Sequence, residues 1–338
     1  MMITKKEIFE QTMTFRYVDD HYDQLVSDMK ALLREKKIKK IAFIGCGSSY
    51  YLAMGLAKHL NRLTKSESNG FYFSGSEIIL NLRKTEKDTL YVGISRSGES
   101  TETVNALKKL KRTRHLTGAL TCESGSKIIP EASAYISLDF IKEESVVMTK
   151  SFTSMAFVFT ALLQDVFGSG DVKTYLNSIV EETETILGNS DEFLNKLNVG
   201  TFDHFVFLGY DEYLAASMEG LIKVTETSLT EVDAFQTLEY RHGPKSKLHQ
   251  GTLVVISSNE KTVELEEKVA QEVESYQAKA LLLSSKESPF DLITFTPDPE
   301  YRNWFLRVIP LQLIGIKRAA FKGLNPDEPR NLSKVVIL

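Results

Sequence analysis

The fold is decided by residues 89–110, which read TLYVGISRSGESTETVNALKKL. The apolar run 89–94 predicts a buried strand, and residues 104–110 predict a helix. The turn between them carries serines at positions 95, 97 and 100. A strand that leads through a hydroxyl-rich turn into a helix offers N–H groups and the positive end of the helix dipole to an anion. The turn therefore predicts a phosphate site, and an N-capped surface helix is the alternative.

Apolar strands alternate with helical segments along the rest of the chain. Residues 5–37 have apolar positions at helical spacing, and residues 38–166 predict five strands interleaved with helices, including a short helix at residues 77–82. Alternation of this kind is typical of an α/β fold with a parallel sheet and right-handed crossovers.

The second half of the chain resembles the first. The strand KIAFIG from Lys40 is matched by HFVFLG from His204, and TLYVGIS from Thr89 is matched by TLVVIS from Thr252. A later strand also returns at residues 280–283, before a helix at residues 304–321. The matches predict two related α/β halves, and chance similarity between strand–turn–helix units is the alternative. The predicted division is a helical segment at 1–37, a first domain at 38–170, a connecting helix at 171–198 and a second domain with a C-terminal tail at 199–338. The second copy lacks the serine cluster, so we expect phosphate in the first half.

Composition excludes several classes of protein. A net charge of −4 gives no reason to expect nucleic acid or an anionic membrane as a partner. The two cysteines, Cys46 and Cys122, argue against a disulfide scaffold and fit a reducing compartment. The N-terminus has no apolar core of signal-peptide length, and no apolar run is long enough to span a bilayer. We therefore expect a cytoplasmic protein.

A second turn, Gly45-Cys46-Gly47, follows the first strand. It is similar to a dinucleotide-binding fingerprint, but Tyr50 occupies the third glycine position and a clear ribose-binding acid is missing. We therefore predict no nicotinamide site and no cofactor. The hydroxyls of Ser48 and Ser49 suit a polyol phosphate better, and Cys46 is interpreted as a small buried residue.

Titratable residues concentrate between positions 219 and 245. Glu219, Lys223 and Glu226 are spaced to share one helix face, although a solvated salt-bridge ladder has the same spacing. His242 lies in the loop sequence LEYRHGPK. An imidazole suits acid–base work near neutral pH, and a plain surface histidine is the alternative. The six histidines show no ligand-like spacing, so we predict no metal site. The Pro-rich tail 325–334 ends in Lys334, and a disordered end is its alternative.

Five motifs occur in the order seen in one family. They are GCGSSY (45–50), SRSGES (95–100), MTKSFT (148–153), RHGP (241–244) and PRNLSK (329–334). The chain thereby resembles the sugar isomerase (SIS) family, in particular the isomerase half of glucosamine-6-phosphate synthase and the stand-alone hexosamine-phosphate deaminases. The resemblance implies two doubly wound, flavodoxin-like parallel-sheet SIS domains in tandem.

The resemblance also implies roles for particular residues. Glu226 matches the carboxylate that moves a proton between C1 and C2, with Lys223 in support. His242 matches the ring-opening histidine, which relatives supply from the partner subunit of a homodimer, and Lys334 matches the lysine that forms an imine with the ketose. The implied phosphate ligands are Ser95, Arg96, Ser97 and Ser100, and the implied sugar contacts are Ser48, Ser49, Val146, Met148 and Glu219.

The chain departs from the synthase in three respects. It carries no glutaminase domain, so we expect it to make no ammonia from glutamine. Arg96 stands in place of a glutamine and Met148 in place of a serine, which alters the expected sugar pocket. The expected activity is that of a hexosamine 6-phosphate deaminase/isomerase. The alternatives are an isomerase of tagatose 6-phosphate type, a fructosamine-6-phosphate deglycase, and a non-catalytic phosphosugar sensor.

Overall fold

Two five-stranded parallel sheets with flanking helices form the framework of the computed structural model, which describes residues 2–334. In chain order the elements are α1 (Ile3–Phe9), α2 (Gln11–Glu35), β1 (Lys40–Gly45), α3 (Ser48–Thr64), β2 (Gly70–Ser74), α4 (Gly75–Ile79), β3 (Thr89–Ile94), α5 (Thr101–Arg112), β4 (Leu116–Thr121), β5 (Ala134–Ser137), α6 (Lys150–Phe167), α7 (Val172–Lys196), β6 (His204–Gly209), α8 (Asp211–Ser228), β7 (Glu231–Gln236), β8 (Thr252–Ser257), α9 (Val263–Ser275), β9 (Lys279–Ser284), β10 (Asp291–Thr294) and α10 (Val308–Phe321). The predicted α/β class with parallel sheets is confirmed.

The chain forms two compact units, each assembled from several segments. The first-sheet unit comprises residues 11–143, 150–180 and 333–334, and the second-sheet unit comprises residues 2–10, 144–149 and 181–332. The continuous domain boundaries predicted from the sequence stay a proposal.

The first sheet has the strand order β2-β1-β3-β4-β5. Every residue of β3 is buried, as expected of a central strand covered by helices on both faces. A Cβ on Gly93 would lie only 2.7 Å from Leu107 Cδ1, so glycine lets α5 pack closely on β3. The strand order changes direction between β1 and β3, and their carboxyl ends are the usual location for a ligand in such a sheet.

The second sheet has the order β10-β9-β8-β6-β7, which repeats the connectivity of the first. The matched segments are β6 with β1 and β8 with β3, as the sequence predicts. Two strands, β7 and β10, and the helix α9 are not predicted. Both missed strands are edge strands that mix exposed and partly buried residues, with Ile293 of β10 as the one fully buried position, so they lack a continuous apolar run.

The start of α4 follows local capping rather than apolar periodicity. The short helix predicted at residues 77–82 begins at Gly75, because Ser74 and Glu77 form a capping box in which each side chain accepts the N–H of the other. The helical stretch predicted at residues 5–37 consists of two helices that meet at Glu10. Among residues 2–334, no helix combines the length and apolar character needed to cross a lipid bilayer.

Glu266 of α9 is a buried carboxyl group in the second-sheet unit. Burial raises its pKa to about 7, although hydrogen bonds from Ser258 and Thr262 act in the opposite direction. The folded state then holds the proton more tightly than the unfolded chain. The protein should therefore lose stability as the pH rises from about 4.5 to 7 through this group.

We expect Glu266→Gln to be more stable than the parent at pH 8 by about 3 kcal/mol. At pH 4 the two proteins should be nearly equal, because the carboxyl group is then neutral in both states. Urea denaturation across this range measures the difference. The matched control is Glu264→Gln, whose side chain on the same helix is 84% exposed. Parallel pH curves for parent and Glu266→Gln would show that this carboxyl group is not linked to folding.

Candidate active site

The turn after β3 forms a compact cluster of hydroxyls at the start of α5. The N–H of Gly98 donates to the carbonyl of Ser95 at 3.1 Å, and Ser95 Oγ lies 3.1 Å from Ser100 Oγ. Gly98 has φ +65°, and a Cβ there would lie 1.9 Å from Ser126 Oγ, so the turn requires glycine. Hydroxyls gathered at a helix N-terminus suit a phosphate group. The phosphate site expected at this turn stays a prediction.

Arg96 projects from this turn into an ion pair with Glu143. The two side chains are 2.8 Å apart and are only 10% and 2% exposed. Ser151 adds its backbone N–H at 3.1 Å and its hydroxyl at 2.5 Å to the same carboxylate. Burial alone would raise the pKa of Glu143, but Arg96 and Ser151 together hold it below its ordinary value. The ionised carboxylate therefore keeps the guanidinium in a fixed position.

Lys334 contacts the same pair of residues. Its Nζ donates to the backbone carbonyl of Glu143 at 2.5 Å, and its own carbonyl lies 3.5 Å from Arg96 Nη2. Glu143 was not singled out from the sequence, because the run Lys142-Glu143-Glu144 reads as an ordinary charged surface. The structure thus brings one predicted phosphate ligand and the predicted imine-forming lysine to one glutamate.

Ser48 and Ser49 are buried at the first turn of α3, directly after β1. A Cβ on Gly45 would lie 2.3 Å from the carbonyl oxygen of Ser49, so the glycine allows this close turn. Cys46 is half-buried rather than fully buried, which corrects the prediction from sequence. Burial raises the pKa of its thiol, with smaller opposing effects from hydrogen bonds of Gly75 and Thr103. The thiol is accordingly a poor nucleophile.

Three charged side chains lie together on one face of α8 in the second-sheet unit. Lys223 Nζ is 2.7 Å from Glu226 Oε2 and 3.4 Å from Glu219 Oε1. The exposed fractions of Glu219, Lys223 and Glu226 are 0%, 2% and 24%. Two of the three are thus shielded from water, unlike the members of a solvated salt-bridge ladder. Glu226 is the carboxylate of this triad that solvent, or a substrate, can reach.

The packing of α8 against α10 holds this face in place. A Cβ on Gly220 would lie 2.3 Å from Leu311 Cδ1, and one on Gly315 would lie 2.5 Å from Thr227 Oγ1. The two glycines therefore let the helices approach closely, and a larger residue at either position would displace the helix that carries Glu226.

His242 is exposed in the loop between β7 and β8. Its backbone N–H donates to the carbonyl of Glu239 at 3.0 Å. On either side, Arg241 and Lys245 both pair with Glu272 of α9, and the Lys245 hydrogen bond is the largest cause of the lowered pKa of that carboxyl group. The loop is thus fixed at both ends while the imidazole stays accessible.

The predicted site residues are divided between the two units. The first-sheet unit contains Ser48, Ser49, Ser95, Arg96, Ser97, Ser100 and Lys334, and the second-sheet unit contains Val146, Met148, Glu219, Lys223, Glu226 and His242. Within the units, the structure brings Ser95 to Ser100, Arg96 to Lys334, and Lys223 to both glutamates. Val146 and Met148 are half-buried.

A group of possible metal ligands lies at the amino-terminal edge of the second sheet. The ligand atoms of His204, Glu231 and Asp233 are all within 4.8 Å of one another. Lys247 Nζ lies 2.7 Å from both carboxylates, so an ammonium group already balances their charge. These residues do not belong to the predicted site, and the expectation of no metal there stays a prediction.

Comparison with known proteins agrees with the motifs. A family model described as SIS domain matches residues 32–164. The isomerizing glutamine–fructose-6-phosphate aminotransferase of Sulfolobus acidocaldarius is 29% identical, over 98% of this chain and 56% of that protein. The chain thus spans little more than half the length of this curated relative.

Solved structures match the chain over almost its whole length. Glucosamine-6-phosphate deaminase from Thermotoga maritima is 30% identical, with a TM-score of 0.83, over 99% of this chain and 100% of that one. The C-terminal domain of glucosamine-fructose-6-phosphate aminotransferase from Francisella tularensis has a TM-score of 0.84 at 22% identity, over 97% of this chain and 98% of that one. At that identity, the similarity supports only the fold. The full-length match at 30% identity, with the family model over the first sheet, establishes that the chain belongs to the SIS (sugar isomerase) family.

Proposed function

We propose that the chain is an enzyme of the aldose–ketose isomerase type that converts a hexosamine 6-phosphate and water into a ketose 6-phosphate and ammonia. The observation that carries the proposal is the α8 triad, in which a buried ammonium pairs with one buried carboxylate and with the accessible carboxylate of Glu226. An accessible carboxylate beside a fixed positive charge suits abstraction of a proton next to a carbonyl group. The Thermotoga maritima relative, a glucosamine-6-phosphate deaminase by name, supports the choice of reaction.

In the proposed reaction, Glu226 takes the proton from C2 of the open-chain amino-aldose and returns it at C1. Lys223 Nζ lies 2.7 Å from Glu226 Oε2 and holds that carboxylate in position for the transfer. The same ammonium can stabilise the enediol-like intermediate. A second proton passes from the C2 amino group to the C1 oxygen, so the product carries an imine at C2 and a hydroxyl at C1 and the step is a redox-neutral isomerisation within the sugar.

Ammonia leaves in a second step at C2. The neutral amine of Lys334 attacks the C2 imine carbon, ammonia departs, and a lysyl imine replaces the original one. Water then hydrolyses that imine to give the ketose and the free lysine. We propose that His242 opens the sugar ring before these steps, since an imidazole can both accept and donate a proton near neutral pH.

The phosphate group supplies binding energy away from the reacting carbons. We propose Ser95, Ser97 and Ser100 as its hydroxyl ligands, with Arg96 as the fixed cation. Ser48, Ser49, Val146, Met148 and Glu219 are proposed contacts to the sugar. The strand order 2-1-3-4-5 in both sheets supports the doubly wound, flavodoxin-like form of the fold.

We also propose a homodimer in which His242 serves the partner subunit. Exposure of His242 on its own chain is compatible with that role. The cytoplasmic location predicted from the sequence stays a prediction. A phosphosugar sensor, the alternative from another class, would need the serine turn but not Glu226, His242 and Lys334 together.

The test is incubation of the purified protein with glucosamine 6-phosphate and, separately, with galactosamine 6-phosphate. We expect ammonia and ketose phosphate in equal amounts from one of the two sugars. Isomerisation of a neutral ketose phosphate without ammonia would replace the proposal with the tagatose-type isomerase. Release of an amino acid from a fructosamine 6-phosphate would indicate the deglycase. Binding with no turnover of any of these sugars would favour the sensor.

A further inference from the structure

The short helix α1 contacts two segments that the proposed function uses. It lies in the second-sheet unit, which also contains both segments, residues 144–149 and residues 325–332. The first segment contains the proposed sugar contacts Val146 and Met148. The second segment is the part of the C-terminal tail that precedes Lys334.

Glu7 of α1 binds the start of the first segment. The backbone N–H groups of Glu144 and Ser145 donate to Oε1 and Oε2 of Glu7 at 2.5 and 3.2 Å. Glu7 is 2% exposed, so its carboxylate is buried and has little contact with water. Two backbone donors on one carboxylate fix the direction in which the chain enters the segment.

The remainder of the segment is held as well. The Ser145 hydroxyl donates to the carbonyl of Val147 at 2.9 Å, and Gln312 Nε2 of α10 donates to the carbonyl of Thr149 at 3.3 Å. Val147 is buried between the half-buried Val146 and Met148. Hydrogen bonds at both ends of the segment therefore fix its backbone, so that Val147 stays buried while Val146 and Met148 stay partly exposed.

Asp327 binds the other end of α1. Its carboxylate accepts the N–H groups of Ile3 and Thr4 at 2.8 and 2.7 Å and the Thr4 hydroxyl at 2.7 Å. Burial alone would raise the pKa of Asp327, but these bonds hold it below its ordinary value. The carboxylate therefore caps the helix from a position seven residues before Lys334 in the chain.

We infer that α1 is a clamp in which Glu7 positions the 144–149 segment for the sugar and Asp327 anchors the tail that carries Lys334. Neither carboxylate is assigned a contact with substrate, so both are positioning residues. The inference rests on the proposed function, which assigns the first segment to sugar binding and Lys334 of the tail to catalysis. The clamp contacts themselves involve residues of the second-sheet unit alone.

Glu7→Gln tests the first half of the inference. A glutamine offers one acceptor oxygen, and its NH₂ group would face a backbone N–H, so the segment loses one of its two bonds. We expect the dissociation constant of glucosamine 6-phosphate or galactosamine 6-phosphate, whichever is the substrate, to rise about tenfold by calorimetry, with Glu226→Gln present in both proteins so that the sugar is not consumed. The dissociation constant of inorganic phosphate should not change, because the serine turn belongs to the other unit.

Two further variants separate positioning from general destabilisation. Glu7→Asp keeps two acceptor oxygens and should recover part of the affinity for the phosphosugar. Glu35→Gln, at the exposed end of α2, is the control for the loss of one negative charge. An equal loss of affinity for phosphosugar and phosphate, or no loss for either, would overturn the role of Glu7.

Asp327→Asn tests the second half without relying on turnover. We expect trypsin to cleave after the exposed Arg330 several-fold faster than in the parent, as followed by mass spectrometry under native conditions. Cleavage at the parent rate would overturn the anchoring role. The proposed reaction and the proposed clamp can fail separately. Failure to release ammonia would contradict the reaction, whereas the rate of proteolysis tests only the clamp.

Discussion

Glu226→Gln should reduce turnover of the phosphosugar by about a thousandfold or more while its affinity stays within about threefold of the parent value. An amide has nearly the shape of a carboxylate but cannot accept the C2 proton. Lys223 would keep its contact with Glu219, so the buried charge on α8 stays compensated. Steady-state assays of ketose phosphate and calorimetry of the unreacted sugar measure the two quantities.

A second readout isolates the proton transfer itself. In deuterated water, the parent enzyme should place solvent deuterium at C1 of the product, and Glu226→Gln should not. Glu226→Asp retains a carboxylate at greater distance and should keep measurable activity. Glu264→Gln removes an equal charge from an exposed position and should behave as the parent. Turnover of Glu226→Gln within tenfold of the parent would remove this residue from the proposed chemistry.

Local sequence patterns are sufficient to predict an element when the residues of that element determine its structure. The strands β1, β3, β6 and β8 are continuous apolar runs because helices cover both faces of a central parallel strand. Likewise, the spacing of Glu219, Lys223 and Glu226 places them on one helix face before any tertiary packing is known. The edge strand β7 reads EVDAFQ and carries no such signal, because it has neighbours on one side only.

Contacts to backbone groups from distant positions leave no local pattern. Glu7 binds amides 137 and 138 residues away, and Glu143 pairs with Arg96 across 47 residues. In the sequence each is one more glutamate in a charged stretch. Because nearly every residue has a backbone N–H, the sequence does not indicate which of them a carboxylate binds. These residues therefore become visible only when the fold brings the segments together.

The burial of the α8 triad likewise could not be read from its spacing. A surface ladder and a buried triad share the i, i+4, i+7 pattern, and the difference depends on what covers the helix. Here α10 packs on α8 through two glycine contacts, at Gly220 and Gly315. The sequence shows both glycines, but nothing in it indicates that they face one another's helices.

Lys334→Met should lower ammonia release on the order of 100-fold, because the amine that would displace ammonia from C2 is lost. Methionine retains much of the apolar stem, and the serine turn is unaltered, so affinity for inorganic phosphate should remain that of the parent. The Nζ of Lys334 donates to the carbonyl of Glu143, and that bond must open before the neutral amine can attack.

Borohydride reduction in the presence of the ketose 6-phosphate identifies the lysine directly. The parent should gain a stable adduct, one phosphosugar per chain, on the peptide that contains Lys334, and Lys334→Met should gain none. Lys196→Met, at a side chain that is 73% exposed, is the matched control and should form the adduct normally. An adduct of equal yield in Lys334→Met would assign the imine to another lysine, and full ammonia release by that variant would show that C2 is hydrolysed by water without a lysyl imine.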